Sequence, residues 1–327
     1  MNAQNRLKLG ILGCGRIVTR RILPALSECP EHWSVVVASQ RPGVADEVAS
    51  EVDGVTASDS YEAILADDSI AAVYIPATGD QHRELTIAAA KAGKHVLCEK
   101  PLAPSIEEAE EMVRACEDHN VILQEAFMWR LHPRALQIRE LIEKNEIGNL
   151  RLIVVNFSFN IDRNDWRLNP DRGGGAMWDL GCYGVNASRF FTDAEPTKIN
   201  AGAHWWPSGV DMSMRIGLTF PGEVLAQIDC SFEAPFRCRL ELVGDDGRIL
   251  VEPAFQPGQQ PTFELWRSSE RDTPVEVISC PSDDQYACQL KHFHRSIESG
   301  ELRAPAENGL QNMKIMDSIL KVARESR

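Results

Sequence analysis

Leu7-Lys8-Leu9-Gly10-Ile11-Leu12-Gly13-Cys14-Gly15-Arg16-Ile17-Val18 sets the architecture of the N-terminal part of the chain. A mostly apolar strand runs into a tight glycine turn, and from residue 17 to about 29 the apolar spacing becomes helical. Further on, 33–39 contains Ser34-Val35-Val36-Val37-Ala38, a near-continuous apolar run of the kind parallel sheets bury on both faces. Helical segments at 42–51 and 61–66 precede a strand at 71–75. A helix over 81–92 then ends at Gly93, where a C-cap glycine belongs. A strand at 95–98, a helix at 106–119 and a short strand at 121–123 complete the series. Strands and helices that alternate in this way, opened by a glycine turn, predict a Rossmann-type doubly wound parallel sheet.

Beyond residue 125 the pattern changes. After a helix at 133–144, strand-like runs follow at 150–159, 198–204, 212–220, 224–232, 236–243 and 248–251. Turn signals such as Pro221-Gly222 and Asp245-Asp246-Gly247 separate them. Strands in sequence without helices between them imply an α/β domain with a large, mostly antiparallel open sheet. Helices at 176–191 and 309–325 accompany it. The expected division is a dinucleotide-binding domain at 1–124 and a substrate and oligomerisation domain at 125–327. A return of the last helix to the first domain is left open.

The 327 residues are 43% hydrophobic and 25% charged, the balance of an ordinary globular protein with two domains' worth of core. The net charge of −14 without a basic run argues against a nucleic-acid partner. No apolar stretch reaches the ~18 residues of a membrane span, and the broken run at 7–14 does not suit a secretion signal. Nine scattered cysteines without a C-x-x-C pair suit reduced, buried thiols in a cytoplasmic protein, and no metal site is expected. His292 and His294, flanking Phe293, read as part of a solvated helix rather than a metal pair.

Gly13 and Gly15 suit a backbone that must pass close to a pyrophosphate, whose charge rests on the amides at Arg16 and Ile17 where the helix opens. Val18 stands where the third small residue of the fingerprint is usual. The second strand ends Ala38-Ser39-Gln40-Arg41, with no carboxylate to hold both ribose hydroxyls of NAD. An acid there would repel a 2′-phosphate, whereas Ser39 can donate to one and Arg41 can pair with it, so NADP is expected over NAD.

Two further motifs carry chemistry. Glu99-Lys100-Pro101 follows the 95–98 strand, at the carboxyl edge where open α/β sheets bind ligands. A lysine there can lower a neighbour's pKa or polarise an oxygen. In Gly173-Gly174-Gly175-Ala176-Met177-Trp178-Asp179-Leu180-Gly181-Cys182-Tyr183, Asp179 and Tyr183 are four apart and share a helix face. The three glycines read as a place where backbone approaches a ligand.

At these residues the sequence resembles the glucose–fructose oxidoreductase / inositol dehydrogenase / rhizopine catabolism (Gfo/Idh/MocA) family, over essentially the whole chain. Tyr183 stands where most members carry His. With Glu125-Ala126-Phe127-Met128-Trp129-Arg130-Leu131-His132-Pro133, it is similar to a subgroup of NADP-dependent xylose dehydrogenases, glucose–fructose oxidoreductase and dimeric dihydrodiol dehydrogenases. The resemblance implies catalytic roles for Lys100, Asp179 and Tyr183, and a Trp166-Arg167 element near cofactor or substrate. It also implies cofactor contacts from Thr78, His82 and Glu99, although Gly79 replaces an asparagine common in the family. The expected activity is hydride transfer to or from a sugar or polyol, in a homodimer or homotetramer. A trans-dihydrodiol or dicarbonyl substrate and a non-catalytic cofactor-binding regulator are the alternatives.

Overall fold

A computed structural model describes residues 6–268, 270, 272, 274–300 and 306–326. They fall into two units, the first holding the chain to Met128 together with Asp284–Met313, the second Trp129–Asp283 and the chain from Lys314.

In the first unit six strands form one sheet: β1 (Leu7–Leu12), β2 (Trp33–Ala38), β3 (Val55–Ala57), β4 (Ala72–Ile75), β5 (His95–Cys98) and β6 (Leu123–Glu125). Their order is β3-β2-β1-β4-β5-β6, and every pair is parallel. The connections carry α1 (Leu23–Ser27), entered through a π-helical turn at Val18–Ile22, then α2 (Val44–Glu51), α3 (Tyr61–Ala66), α4 (Gly79–Lys91) and α5 (Ile106–Asp118). β4 is buried at all four positions and β1 over its last four, as a sheet covered on both faces requires. The doubly wound parallel sheet expected from the sequence is present. β3 is an additional strand, and β6 lies two residues later than the 121–123 expectation.

The second unit holds α6 (Pro133–Glu143), a π-helical turn at Met177–Gly181 continued by α7 (Cys182–Thr192), and eight strands. These are β7 (Leu150–Ser158), β8 (Lys198–Trp205), β9 (Asp211–Thr219), β10 (Leu225–Ser231), β11 (Arg237–Gly244), β12 (Arg248–Val251), β13 (Thr262–Trp266) and β14 (Glu276–Ser279). The order is β14-β13-β12-β11-β7-β10-β9-β8, antiparallel throughout except for β7 against β10. Met212, Met214, Ile216 and Leu218 of β9 are buried, whereas Arg215 between them is exposed, the alternation of a sheet with one covered face. α7 packs against β7 and β10, and Gly184 allows close approach, since a methyl group there would strike Ile228. Arg134 of α6 is buried and donates to the carbonyls of Pro253 at 2.7 Å and Ala254 at 2.5 Å, holding the segment after β12. The opposite face carries the exposed Leu225 and Val277 together with ion pairs such as Arg239–Glu241 and Arg248–Glu241.

Two last helices follow β14, α8 (Gln285–Ser299) and α9 (Ala306–Glu325). α8 belongs wholly to the first unit, and it corrects the expectation of a solvated helix around His292 and His294, which are 8% and 3% exposed. The cause is Trp33 of β2. Its indole N–H donates to the Leu290 carbonyl at 3.1 Å, and its ring stacks on Phe293 and meets His294 edge-on. Among the described residues no helix is long and apolar enough to cross a membrane. Trp33→Ala should remove this anchor and cost about 3–5 kcal/mol, seen as a lower unfolding midpoint of the first unit.

Candidate active site

In the first unit the candidate residues begin at the end of β1. Its last residue leads into Gly13, whose φ of +136° a side-chain-bearing residue would rarely adopt, and whose amide donates to the Ala38 carbonyl at 3.0 Å. Gly15 faces open space, so the backbone where the helix opens is accessible to a bulky anion. Arg16 beside it is exposed, Ile17 is half-buried, and Val18, in the fingerprint's third position, is fully buried in the core. At the end of β2 the Arg41 guanidinium donates to the Cys14 carbonyl at 3.0 Å, which lays a fixed positive charge against the glycine turn. Ser39 Oγ accepts from the Arg41 amide at 3.1 Å and fixes the bend. Tyr61 of α3 also faces this turn; no sequence motif marks it.

The loop after β5 is held by side chains from three other elements. Glu99 Oε1 accepts from the Tyr74 hydroxyl of β4 at 2.6 Å, and burial, reinforced by the Glu99 charge, keeps that phenol protonated. The Lys100–Pro101 peptide is cis. The next amide, Leu102 N, donates to Glu125 Oε1 of β6 at 2.9 Å. His82 of α4 is 1% exposed, with Nε2 2.9 Å from the Ala77 carbonyl and Nδ1 3.1 Å from that of Pro101. Burial holds its pKa below the ordinary value. The ring therefore lies between the Ala77–Thr78 turn and the Lys100–Pro101 loop, with both nitrogens turned to backbone. α8 adds Tyr286, whose phenol is pushed up to about 12 by burial and by Glu99, with Lys100 and Arg21 opposing. Cys98 is fully buried, and burial raises its thiol well above the ordinary range, so it is chemically quiet.

In the second unit Asp179 sits in the π-helical turn and Tyr183 in the first turn of α7. π-helical turns recur where a helix must present functional groups out of α register. Asp179 Oδ2 accepts from Arg167 Nε at 2.7 Å, and the same guanidinium pairs with Asp165 at 3.2 Å. Burial disfavours the Arg167 charge, but its two carboxylate partners more than offset this and raise its pKa. Trp166 and Phe159 lie against the guanidinium, 4.8 and 6.0 Å from ring centre to Cζ. Tyr183 is 6% exposed, its ring edge-on to Phe157 at 5.4 Å and tilted on Phe255 at 4.9 Å. The glycines before this segment serve local packing. A methyl group on Gly174 would strike the Arg167 and Asn169 carbonyls, and one on Gly175 would strike Asp211. Among the described residues no group of His, Cys, Asp or Glu could hold a metal ion.

The comparisons with known proteins agree with this fold. Residues 7–127 match the oxidoreductase family with an NAD-binding Rossmann fold, and 135–250 match the GFO/IDH/MocA C-terminal domain. The chain belongs to the Gfo/Idh/MocA oxidoreductase family. Within it, the chain is 35% identical to D-xylose 1-dehydrogenase (NADP(+)) 2 of Haloferax volcanii, over 97% of each chain. It superposes on the aldose-aldose oxidoreductase of Caulobacter crescentus with a TM-score of 0.90, at 27% identity over 99% of each chain. A 3-ketoreductase of Actinomadura kijaniata, solved with NADP and TDP-benzene, gives 0.87 at 30% identity, over 97% of this chain and 98% of that one.

The loop after β5 is thus tied down by Tyr74, Glu125 and His82. Tyr74→Phe removes the hydroxyl donor from Glu99 and should cost about 1.5–3 kcal/mol, the worth of a hydrogen bond to a charged group. Hydrogen exchange at the amides of residues 99–102 should rise in that variant, and unchanged protection would show that Tyr74 does not hold the loop.

Proposed function

We propose that the protein is an NADP-dependent dehydrogenase or reductase acting on a carbon that bears a hydroxyl or carbonyl on a sugar or polyol. The observation that carries this reading is the pairing in one helical segment of Asp179, ion-paired to Arg167, with Tyr183, set in an aromatic wall. Lys100, on the clamped loop after β5, is the cation proposed to serve them. The NADP-dependent xylose dehydrogenase relative and the ketoreductase solved with NADP support the cofactor and the substrate class.

The residues of the first unit fit NADP. The accessible backbone at Gly15 and the amides at Arg16 and Ile17 suit a pyrophosphate, and Gly13 supplies the turn that brings them there. No carboxylate lies between Ser39 and Arg41, and the Arg41 guanidinium is fixed where a 2′-phosphate would need a counter-charge. Thr78, Glu99 and the Trp166-Arg167 element complete the proposed contacts, and His82 contributes through the two loops it separates. When bound, NADP supplies the acceptor or donor of the hydride.

Tyr183 is the acid/base. In oxidation its hydroxyl oxygen takes the proton from the substrate hydroxyl, and in reduction it returns one to the nascent alkoxide. A phenol with an ordinary pKa of about 10 needs a cation to act near neutrality, and Lys100 is that cation. Asp179, held by its ion pair with Arg167, orients the reacting group. The rings of Phe159 and Trp166, both against Arg167, offer apolar surfaces suited to the C–H faces of a carbohydrate. The open face of the second unit's sheet, with Leu225 and Val277 exposed, is the surface we assign to a homodimer or homotetramer. Nine cysteines without a disulfide fit a reducing, cytoplasmic setting.

Tyr183→Phe should lower kcat by roughly 10²–10⁴-fold while NADPH affinity changes little. Turnover within a few-fold of the parent would remove Tyr183 from the proton transfer. Arg41→Ser should weaken NADP by on the order of tenfold or more and leave NAD nearly untouched, and equal losses for both would contradict the 2′-phosphate assignment. A panel of aldoses, trans-dihydrodiols and dicarbonyls, followed by nicotinamide absorbance, separates the readings. Turnover of aldoses supports the sugar reading, turnover confined to the other two classes replaces it, and silence on all favours a cofactor-binding regulator.

A further inference from the structure

Asp211, the first residue of β9, is only 2% exposed, yet it carries a carboxylate among apolar neighbours. The β8/β9 register shifts between His204 and Trp205 and sets Trp205 opposite Asp211. Such irregularities re-aim a side chain, and here the carboxylate lies at the start of the segment that bears Asp179 and Tyr183. Oδ2 accepts from the Met177 amide at 2.6 Å, the Ala176 amide bonds to the carboxylate as well, and Oδ1 fills the space that a methyl group on Gly175 would need. The first amides of a helix have no partner inside it, so a carboxylate from another strand here both satisfies them and meets the positive end of the helix dipole.

We propose that Asp211 is a positioning residue: in its ionised form it clamps the start of the Met177–Gly181 turn, and thereby sets where Asp179 and Tyr183 stand. The proposal rests on the acid/base reading of Tyr183 given above for its effect on turnover, but the clamp itself does not. The titratable groups facing Asp211 are Arg324 of α9, which favours its charge, and Cys230 of β10, whose buried thiol stays neutral. Burial outweighs the amide bonds and Arg324 and lifts the carboxyl to about 6. The folded-state value lies above the ~3.9 of an unfolded chain. Ionising Asp211 therefore costs stability, a cost that sets in as pH rises from about 4 and is complete above about 6. A side chain kept only for stability would be better as the neutral amide.

The test is Asp211→Asn beside the parent and Asp211→Glu. At pH 7.5 the amide variant should unfold at the same temperature as the parent or higher, hold NADPH within two-fold, and lose kcat by tenfold or more. The parent's kcat should fall below about pH 6, and this acid limb should be absent in Asp211→Asn and present, displaced, in Asp211→Glu. Hydrogen exchange at residues 176–183, corrected for intrinsic rates, should quicken in the parent below pH 6 and in Asp211→Asn at every pH. Unchanged exchange in both cases overturns the clamp, whatever the activity. Should Asp211→Asn not fold, the parent's own exchange profile decides, and flat protection between pH 5 and 7 overturns the proposal. Exchange that responds while kcat does not would retain the clamp and instead remove Tyr183 and Asp179 from the rate-limiting chemistry, the outcome Tyr183→Phe checks independently.

Discussion

Strand β1 is hydrogen-bonded to β2 on one side and to β4 on the other, with all three chains running the same way. Because parallel strands present their carboxyl ends together, the turns after β1, β2, β4 and β5 all open along one edge of the sheet. That edge gathers the Gly13–Gly15 turn, the Ser39–Arg41 bend, the Ala77–Thr78 turn and the lysine loop. The strand order reverses between β1 and β4, strands being added outward from β1 one way and from β4 the other, and at such a switch point the connections part and leave a crevice. Little else in the first unit is free to vary once that ladder forms.

Both units then meet the same difficulty, which is to hold reactive groups still on irregular backbone. They solve it with carboxylates that bind main-chain or phenolic donors. Glu125 takes the Leu102 amide, Glu99 takes the Tyr74 hydroxyl, and Asp211 takes amides at the head of the Met177–Gly181 turn. Burying such groups is unfavourable unless their hydrogen bonds are made, so each marks a place where geometry has been kept at some cost in stability. The Arg167 bridge between Asp165 and Asp179 follows the same logic with a cation at its centre.

Much of this is legible in the chain itself. The glycine turn, the missing acid after β2, Glu99-Lys100-Pro101 and the 176–191 helix are local signals, and they fall where the sequence puts them. The elements that escape are those whose signal is long-range or disguised. α8 buries Gln285, Gln289, His292, His294 and Ser296, so its inward face does not read as apolar and its return to the first unit is hidden. β14 is largely exposed and β3 is three residues long, too weak a pattern to stand out. Asp211 falls just outside the 212–220 run and carries no signal of its own, because only the register shift against β8 turns it inward. Arg167 reads as a ligand contact, since nothing in the spacing announces its ion pairs with Asp165 and Asp179.

The place of β7 at the centre of the second sheet has a bearing on how the chain is made. It lies between β10 and β11, and its residues meet partners far ahead, as Asn156 does with Asp229, 73 positions on. At ribosomal rates of about 5–20 residues per second, a strand of Leu, Ile, Val and Phe waits roughly 4–15 s before its first neighbour emerges. Throughout that interval its two ladder edges are bare and prone to pairing with another nascent chain. The central strand of the second sheet is thus left bare during synthesis, whereas β1 of the first meets β2 soon after it emerges and that unit waits for α8 only to cover Trp33.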